Sequence, residues 1–146
     1  MTLERSQRLQ ILVLVALSAS CADLWVKAAL PSPQWALHHR SLLWAFGCWL
    51  LLIGAFQLSR VPSTWVTIGA GLFGGGVLGN LISAGADRLV VPNPFMIQDS
   101  RGVIAFNLAD ASILCGNLVL MVALSEFVIR HRDRLPRGVL LARLRR

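Results

Sequence analysis

An all-α membrane protein of four transmembrane helices, with an external loop region beside its functional face, is the fold class this sequence predicts. Three observations carry that expectation. Of the 146 residues, 55% are hydrophobic and only 14% are charged, against about 25% charged in a typical soluble domain. Four apolar runs are each long enough to cross a bilayer core, which takes about 20 helical residues. The basic residues crowd to one side of those runs, and such a bias sets orientation.

The runs span about 9–30, 41–59, 64–86 and 103–129. In lipid the backbone must satisfy its own hydrogen bonds, so each run reads as a helix. Four strands would not close a barrel, and no period-2 alternation is visible. With no internal linker, residues 1–146 read as one integral membrane domain. The first run brushes against a signal-peptide cleavage box, LSASC at Leu17–Cys21. Ser18 stands where such a box wants an apolar residue, and three further spans follow, so the run is expected to stay attached. Cys48 and Cys115 lie inside apolar runs and read as small buried hydrophobes. Nothing suggests a disulfide or a metal site.

Orientation follows from charge. Arg5, Arg8, Arg60, Arg130, Arg132, Arg134, Arg137, Arg143, Arg145 and Arg146 fall on one side, and Lys27, Arg40, Arg88 and Arg101 on the other. Ten against four puts both termini in the cytoplasm. Glu4, Glu126 and Asp133 share that side, whereas Asp23, Asp87, Asp99 and Asp110 lie at or near the external face. The basic C-terminal tail reads as an anchor on anionic lipid. No nucleic-acid motif accompanies it. Trp25, Trp35, Trp44 and Trp65 sit near helix ends, as an interfacial belt does.

An ionisable group at membrane depth is expensive and asks for a named partner. Asp110 is the foremost case, about two turns into the fourth run and shortly after Asn107. It either hydrogen-bonds or caps a neighbouring helix, or it takes part in acid–base chemistry with a second carboxylate. Asp23 and Lys27 stand four residues apart on one helical face, as an ion pair would. Six glycines between Gly69 and Gly79 predict close helix approach. Asn80 follows them and needs buried partners. His39 and Arg40, after His38, are candidate headgroup or substrate contacts in the first external loop. Pro92 and Pro94 speak against regular helix between the third and fourth spans.

Two segments, Gly75-Gly76-Val77-Leu78-Gly79-Asn80 and Phe106-Asn107-Leu108-Ala109-Asp110, together resemble the GGxxGN and FNxAD signatures of the lipoprotein signal peptidase family, signal peptidase II. Asp23 and Lys27 resemble that family's D-x-x-x-K. The resemblance covers most of the chain and implies an aspartic endopeptidase of the bacterial inner membrane. Such an enzyme cleaves signal peptides from lipid-modified prolipoproteins at the external face, without metal or cofactor, among membrane lipids. It implies Asp110 as one catalytic carboxylate, with Asn80, Asn107, Asp23 and Lys27 as supporting residues.

The sequence also departs from the pattern. Ser83 and Ala84 stand where the family has an Asp-Arg pair, and Asp87-Arg88 follows one turn later. Pro92, in Val90-Val91-Pro92-Asn93, stands where the second catalytic Asp belongs. The family's asparagine-bearing segment after the first loop is replaced by His38 to Trp44. Asp87 and Asp99 are therefore the candidates for the second carboxylate. The alternative is a non-catalytic relative that binds lipidated peptides. A transporter subunit would want an acid near mid-membrane, and Glu126 lies at the cytoplasmic end. Oligomeric state is left open.

Overall fold

A computed structural model describes residues 3–100 and 102–132. The basic tail beyond residue 132 and Arg101, both used above to set orientation, lie outside the described residues. Among the described residues, four helices are long and apolar enough to cross a membrane: α1 (Arg5–Ala29), α2 (Leu42–Gln57, prolonged by a 3₁₀ turn over Leu58–Arg60), α3 (Thr64–Ala86) and α4 (Leu108–His131). Four short strands fill the connections: β1 (Leu37–His39), β2 (Val90–Pro92), β3 (Phe95–Asp99) and β4 (Gly102–Phe106).

Local chemistry sets the helix ends. Ser41 and Ser63 accept the backbone N–H of Trp44 and Val66 at 3.1 and 3.4 Å and so begin α2 and α3, each serving one of the N–H groups a first turn leaves free. Glu4 N–H donates to Gln7 Oε1 at 2.9 Å ahead of α1, and Pro31 and Pro33 follow that helix's end. Beyond α3, Arg88 and Leu89 take positive φ angles of 45° and 67°, and the chain reverses there into β2.

α3 is the central helix. Of its most apolar window 67% is buried, against 17% for each of the other three. Its glycines explain how it can be. A Cβ on Gly75 would meet the Ala16 carbonyl oxygen of α1 at 2.6 Å, and one on Gly76 would meet the Ala109 oxygen of α4 at 2.4 Å. Only hydrogen side chains allow backbones this close. The outer faces of α1, α2 and α4 expose large apolar residues such as Leu14, Trp49 and Val122, the arrangement lipid favours. Trp25, Trp35 and Trp65 are exposed, whereas Trp44 packs under the Arg40 guanidinium at 5.2 Å. Cys48 is buried, but Cys115 faces outward.

One boundary differs from expectation. The fourth span does not begin at Val103. Residues 102–106 are β4, paired antiparallel with β3 from Phe95 opposite Phe106 to Asp99 opposite Gly102. Val103, Ile104 and Phe106 are β-branched or aromatic, and by hydropathy alone an apolar strand running into a helix looks like one long helix. β1 pairs with β2 across some fifty residues of sequence, setting Leu37, His38 and His39 opposite Pro92, Val91 and Val90. The α1–α2 and α3–α4 connections thus carry the strands, at the same end of the bundle.

Candidate active site

The first turn of α4 organises the site. Asn107 is its N-cap: its Oδ1 accepts the Asp110 backbone N–H at 2.9 Å, and its own N–H donates to Asp110 Oδ2 at 3.3 Å. This reciprocal box both starts the helix and orients the carboxylate. The other carboxylate oxygen, Asp110 Oδ1, accepts from Asn80 Nδ2 of α3 at 3.0 Å. Asp110 itself is half-buried, while Asn107 is fully enclosed.

Asp23 and Lys27 of α1 close the inner side. Their charged groups lie 2.6 Å apart, with side chains 0% and 5% exposed. Asp23 Oδ1 accepts the Ala109 N–H at 2.8 Å, which satisfies a free donor at the positive end of α4. Gly79 leaves the room: a Cβ there would stand 2.8 Å from Asp23 Oδ2. Lys27 Nζ also donates to Asn80 Oδ1 at 2.8 Å and Ser83 Oγ at 3.1 Å. The pair therefore ties α1 to both α3 and α4. The Ser83 hydroxyl in turn donates a hydrogen bond to the Gly79 carbonyl at 3.0 Å.

Asn93, absent from the sequence-based candidates, sits in the same cluster. It is 0% exposed, and its Oδ1 accepts from Asn107 Nδ2 at 2.6 Å. Asn107 Nδ2 also faces Asn80 Oδ1 at 3.0 Å and the Pro92 carbonyl at 3.3 Å. Asn93 Nδ2 lies 3.0 Å from His38 Nδ1. Its signal was an asparagine between two prolines, directly after the apolar pair Val90-Val91. The resemblance puts the second acid at Pro92, and in the structure it is the adjacent Asn93 whose side chain enters the cluster.

The two proposed second carboxylates are placed differently. Asp87 is exposed at the C-cap of α3, two turns and about 10 Å along the axis from Asn80. The backbone of Asp99 lies at the tip of the β3–β4 hairpin, four residues and roughly 13 Å from its base. Among the described residues, the hydrogen bonds of Asp110 run to Asn80 and Asn107. His39 and Arg40 have other partners. His39 is exposed opposite Val90, on the other face of β1 from His38. Arg40 lies over Trp44, with its backbone N–H on Leu89 O at 2.7 Å.

Fold and site together define a multi-pass α-helical membrane protein, with a carboxylate and amide centre set between three helices at one end of the bundle. A family model described as signal peptidase (SPase) II matches residues 22–126, and the chain belongs to that family. This is a family of aspartyl proteases that process lipoproteins. Two solved structures share the fold. One, a bacterial membrane enzyme determined by the in meso method at 2.3 Å, is 16% identical, with a TM-score of 0.59 over 88% of this chain and 93% of that one. The other, a bacterial membrane enzyme determined in meso at 1.9 Å, is 19% identical, with a TM-score of 0.58 over 77% of this chain and 91% of that one. No curated sequence matches the chain.

Proposed function

We propose that the protein recognises lipid-modified prolipoproteins at the external face of the bacterial inner membrane, and that this arrangement holds them without hydrolysing the signal peptide. One observation carries the reading. Among the described residues, the hydrogen bonds to the Asp110 carboxylate come from Asn80 and Asn107 and none from a second carboxyl, and the residue that enters the cluster after Val90-Val91-Pro92 is an amide, Asn93, 2.6 Å from Asn107. Aspartic chemistry relies on two carboxyl groups sharing a proton, one taking it from water and the other giving it to the leaving amine. An amide does neither at ordinary pH. Asp23 is no substitute, because the Lys27 ammonium and the Ala109 N–H occupy its two oxygens. What remains is a centre of fixed donors and acceptors around one half-buried carboxylate, suited to gripping an extended peptide.

The test is expression in cells that lack their own lipoprotein signal peptidase, with a photo-crosslinker placed near Asp110. The expected result is a crosslink to unprocessed prolipoprotein and no mature form. Mature lipoprotein that disappears with Asp110→Asn would overturn the reading. It would instead support the second one, cleavage by Asp110 with Asp87 or Asp99 brought to it. That second reading is favoured by the complete Asn107–Asp110 box and by the half-exposure of Asp110.

A further inference from the structure

The donor and acceptor roles in the cluster form a fixed sequence, and that sequence ends on His38. Two groups that can only donate start it: the Asp110 backbone N–H and the Lys27 ammonium. The Asp110 N–H takes Asn107 Oδ1 at 2.9 Å. The Asn107 amide nitrogen is thereby turned toward Asn93, and it donates to Asn93 Oδ1 at 2.6 Å. Independently, Lys27 Nζ takes Asn80 Oδ1 at 2.8 Å, which turns Asn80 Nδ2 onto Asp110 at 3.0 Å. Neither amide can flip without setting donor against donor. Asn93 is left with its Nδ2 facing His38 Nδ1 at 3.0 Å. An amide nitrogen only donates, so this ring nitrogen accepts, and the neutral imidazole carries its proton on Nε2.

The strands make this meeting possible. His38 lies opposite Val91 in the β1–β2 pair, and Asn93 follows directly after the end of β2, within reach of the ring. His38 is exposed whereas Asn93 is 0% exposed, so the bond joins a surface ring to a sealed cluster. Without the ring, one hydrogen of a buried amide loses its acceptor. We infer that His38 is a positioning residue of this centre: it accepts the hydrogen bond that fixes the Asn93 amide, and through Asn93 it holds the Asn107 side chain that orients Asp110.

Two measurements test the inference. The first is ¹⁵N NMR of the full chain, labelled at histidine, in detergent micelles at pH 8, above the usual imidazole range near 6.5. The His38 signal is assigned by its loss in His38→Asn. The expected result is the Nε2–H tautomer in the unmodified protein, with a mixed tautomer in Asn93→Ala. An Nδ1–H tautomer in the unmodified protein overturns the inference whether or not the variant folds.

The second measurement rests on the recognition proposed above: affinity for a diacylglyceryl-modified signal peptide in the same micelles. His38→Leu should bind about fivefold more weakly, the size of one net hydrogen bond. His38→Asn, whose Oδ1 can accept near the place of Nδ1, should stay within about twofold. Equal losses in both variants, or none in either, overturn the inference. If the unmodified protein binds no peptide, the recognition reading fails, and the tautomer alone decides the role of His38.

Discussion

Asn93 and Asn107 meet amide to amide, Oδ1 to Nδ2 at 2.6 Å, so the residue next to the expected acid position fills the cluster with the neutral counterpart of a carboxylate. Amide and carboxylate have nearly the same shape and differ in charge and in the ability to carry a proton. Asn93→Asp therefore needs little repacking. It would place a second carboxyl in the Asp110 cluster, still accepting from Asn107, and one of two such neighbours retains a proton. The expected outcome is a gain of prolipoprotein processing in cells lacking their own lipoprotein signal peptidase, detected as mature lipoprotein on a gel. The gain should vanish when Asp110→Asn is added. No processing from an inserted Asn93→Asp protein would mean that the substitution alone does not restore dyad chemistry.

The Asp23–Lys27 pair should matter far more to stability than its i,i+4 spacing suggests. Exposed pairs at that spacing are worth a few tenths of a kcal/mol. Here both groups are enclosed, at 0% and 5% exposure. Lys27→Met would leave Asp23 buried with an unmatched charge and take the donor from Asn80 and Ser83. The expected cost is about 3–5 kcal/mol. Asp23→Asn added to Lys27→Met removes the stranded charge and keeps an acceptor for the Ala109 N–H, so the double variant should be more stable than Lys27→Met alone. Thermal unfolding in detergent, followed by tryptophan fluorescence, orders the three proteins. A double variant no better than the single one would contradict this account.

Two glycines should respond in opposite directions to one added methyl. On Gly76 it would meet the Ala109 oxygen at 2.4 Å and the Ile113 side chain at 2.7 Å, whereas around Gly47 nothing lies within 4 Å. Gly76→Ala must push α4 away and should cost about 1–3 kcal/mol. It should also loosen the Asp110 box, because Ala109 and Asp110 share that turn. Gly47→Ala should be neutral or gain up to about 1 kcal/mol from helix propensity. Melting temperatures of the two variants, measured side by side, check the contrast.

Why the four helices were legible, and part of the cluster was not, follows from the range of the interactions involved. Apolar length speaks for itself, and so do two polar residues, Asn107 and Asp110, inside an apolar run; the reciprocal capping box that joins them comes from the structure. Asp23 and Lys27 announced themselves by spacing, and Asn80 by a polar side chain after a glycine run. The start of α4 was misplaced because Val103 to Phe106 is as apolar as a helix. Asn93 and His38 were not readable as partners. They meet only because β1 pairs with β2 across some fifty residues, and three-residue strands carry almost no periodic signal. The role of Ser83 was hidden for a similar reason, since it depends on a lysine from another helix.

Asn107 has two separable duties, and paired substitutions should divide them. Its Oδ1 caps α4 through the Asp110 N–H. Its Nδ2 holds Asn93, Asn80 and the Pro92 carbonyl, at 2.6, 3.0 and 3.3 Å. Asn107→Ala loses both functions. Asn107→Asp keeps a good cap, since Asp and Asn are comparable at N-cap, but it turns a second oxygen toward three acceptors. Hydrogen exchange at the Asp110 amide reports the first duty, and it should speed up in Asn107→Ala while staying slow in Asn107→Asp. The Asn93 side-chain amide reports the second, and its NMR signal should move in both variants. Loss of the cap alone should cost about 1 kcal/mol. If Asn107→Asp melts no higher than Asn107→Ala, then the repulsion between its second oxygen and the acceptors of Asn93, Asn80 and Pro92 outweighs the cap it keeps, and the cluster demands a donor at this position.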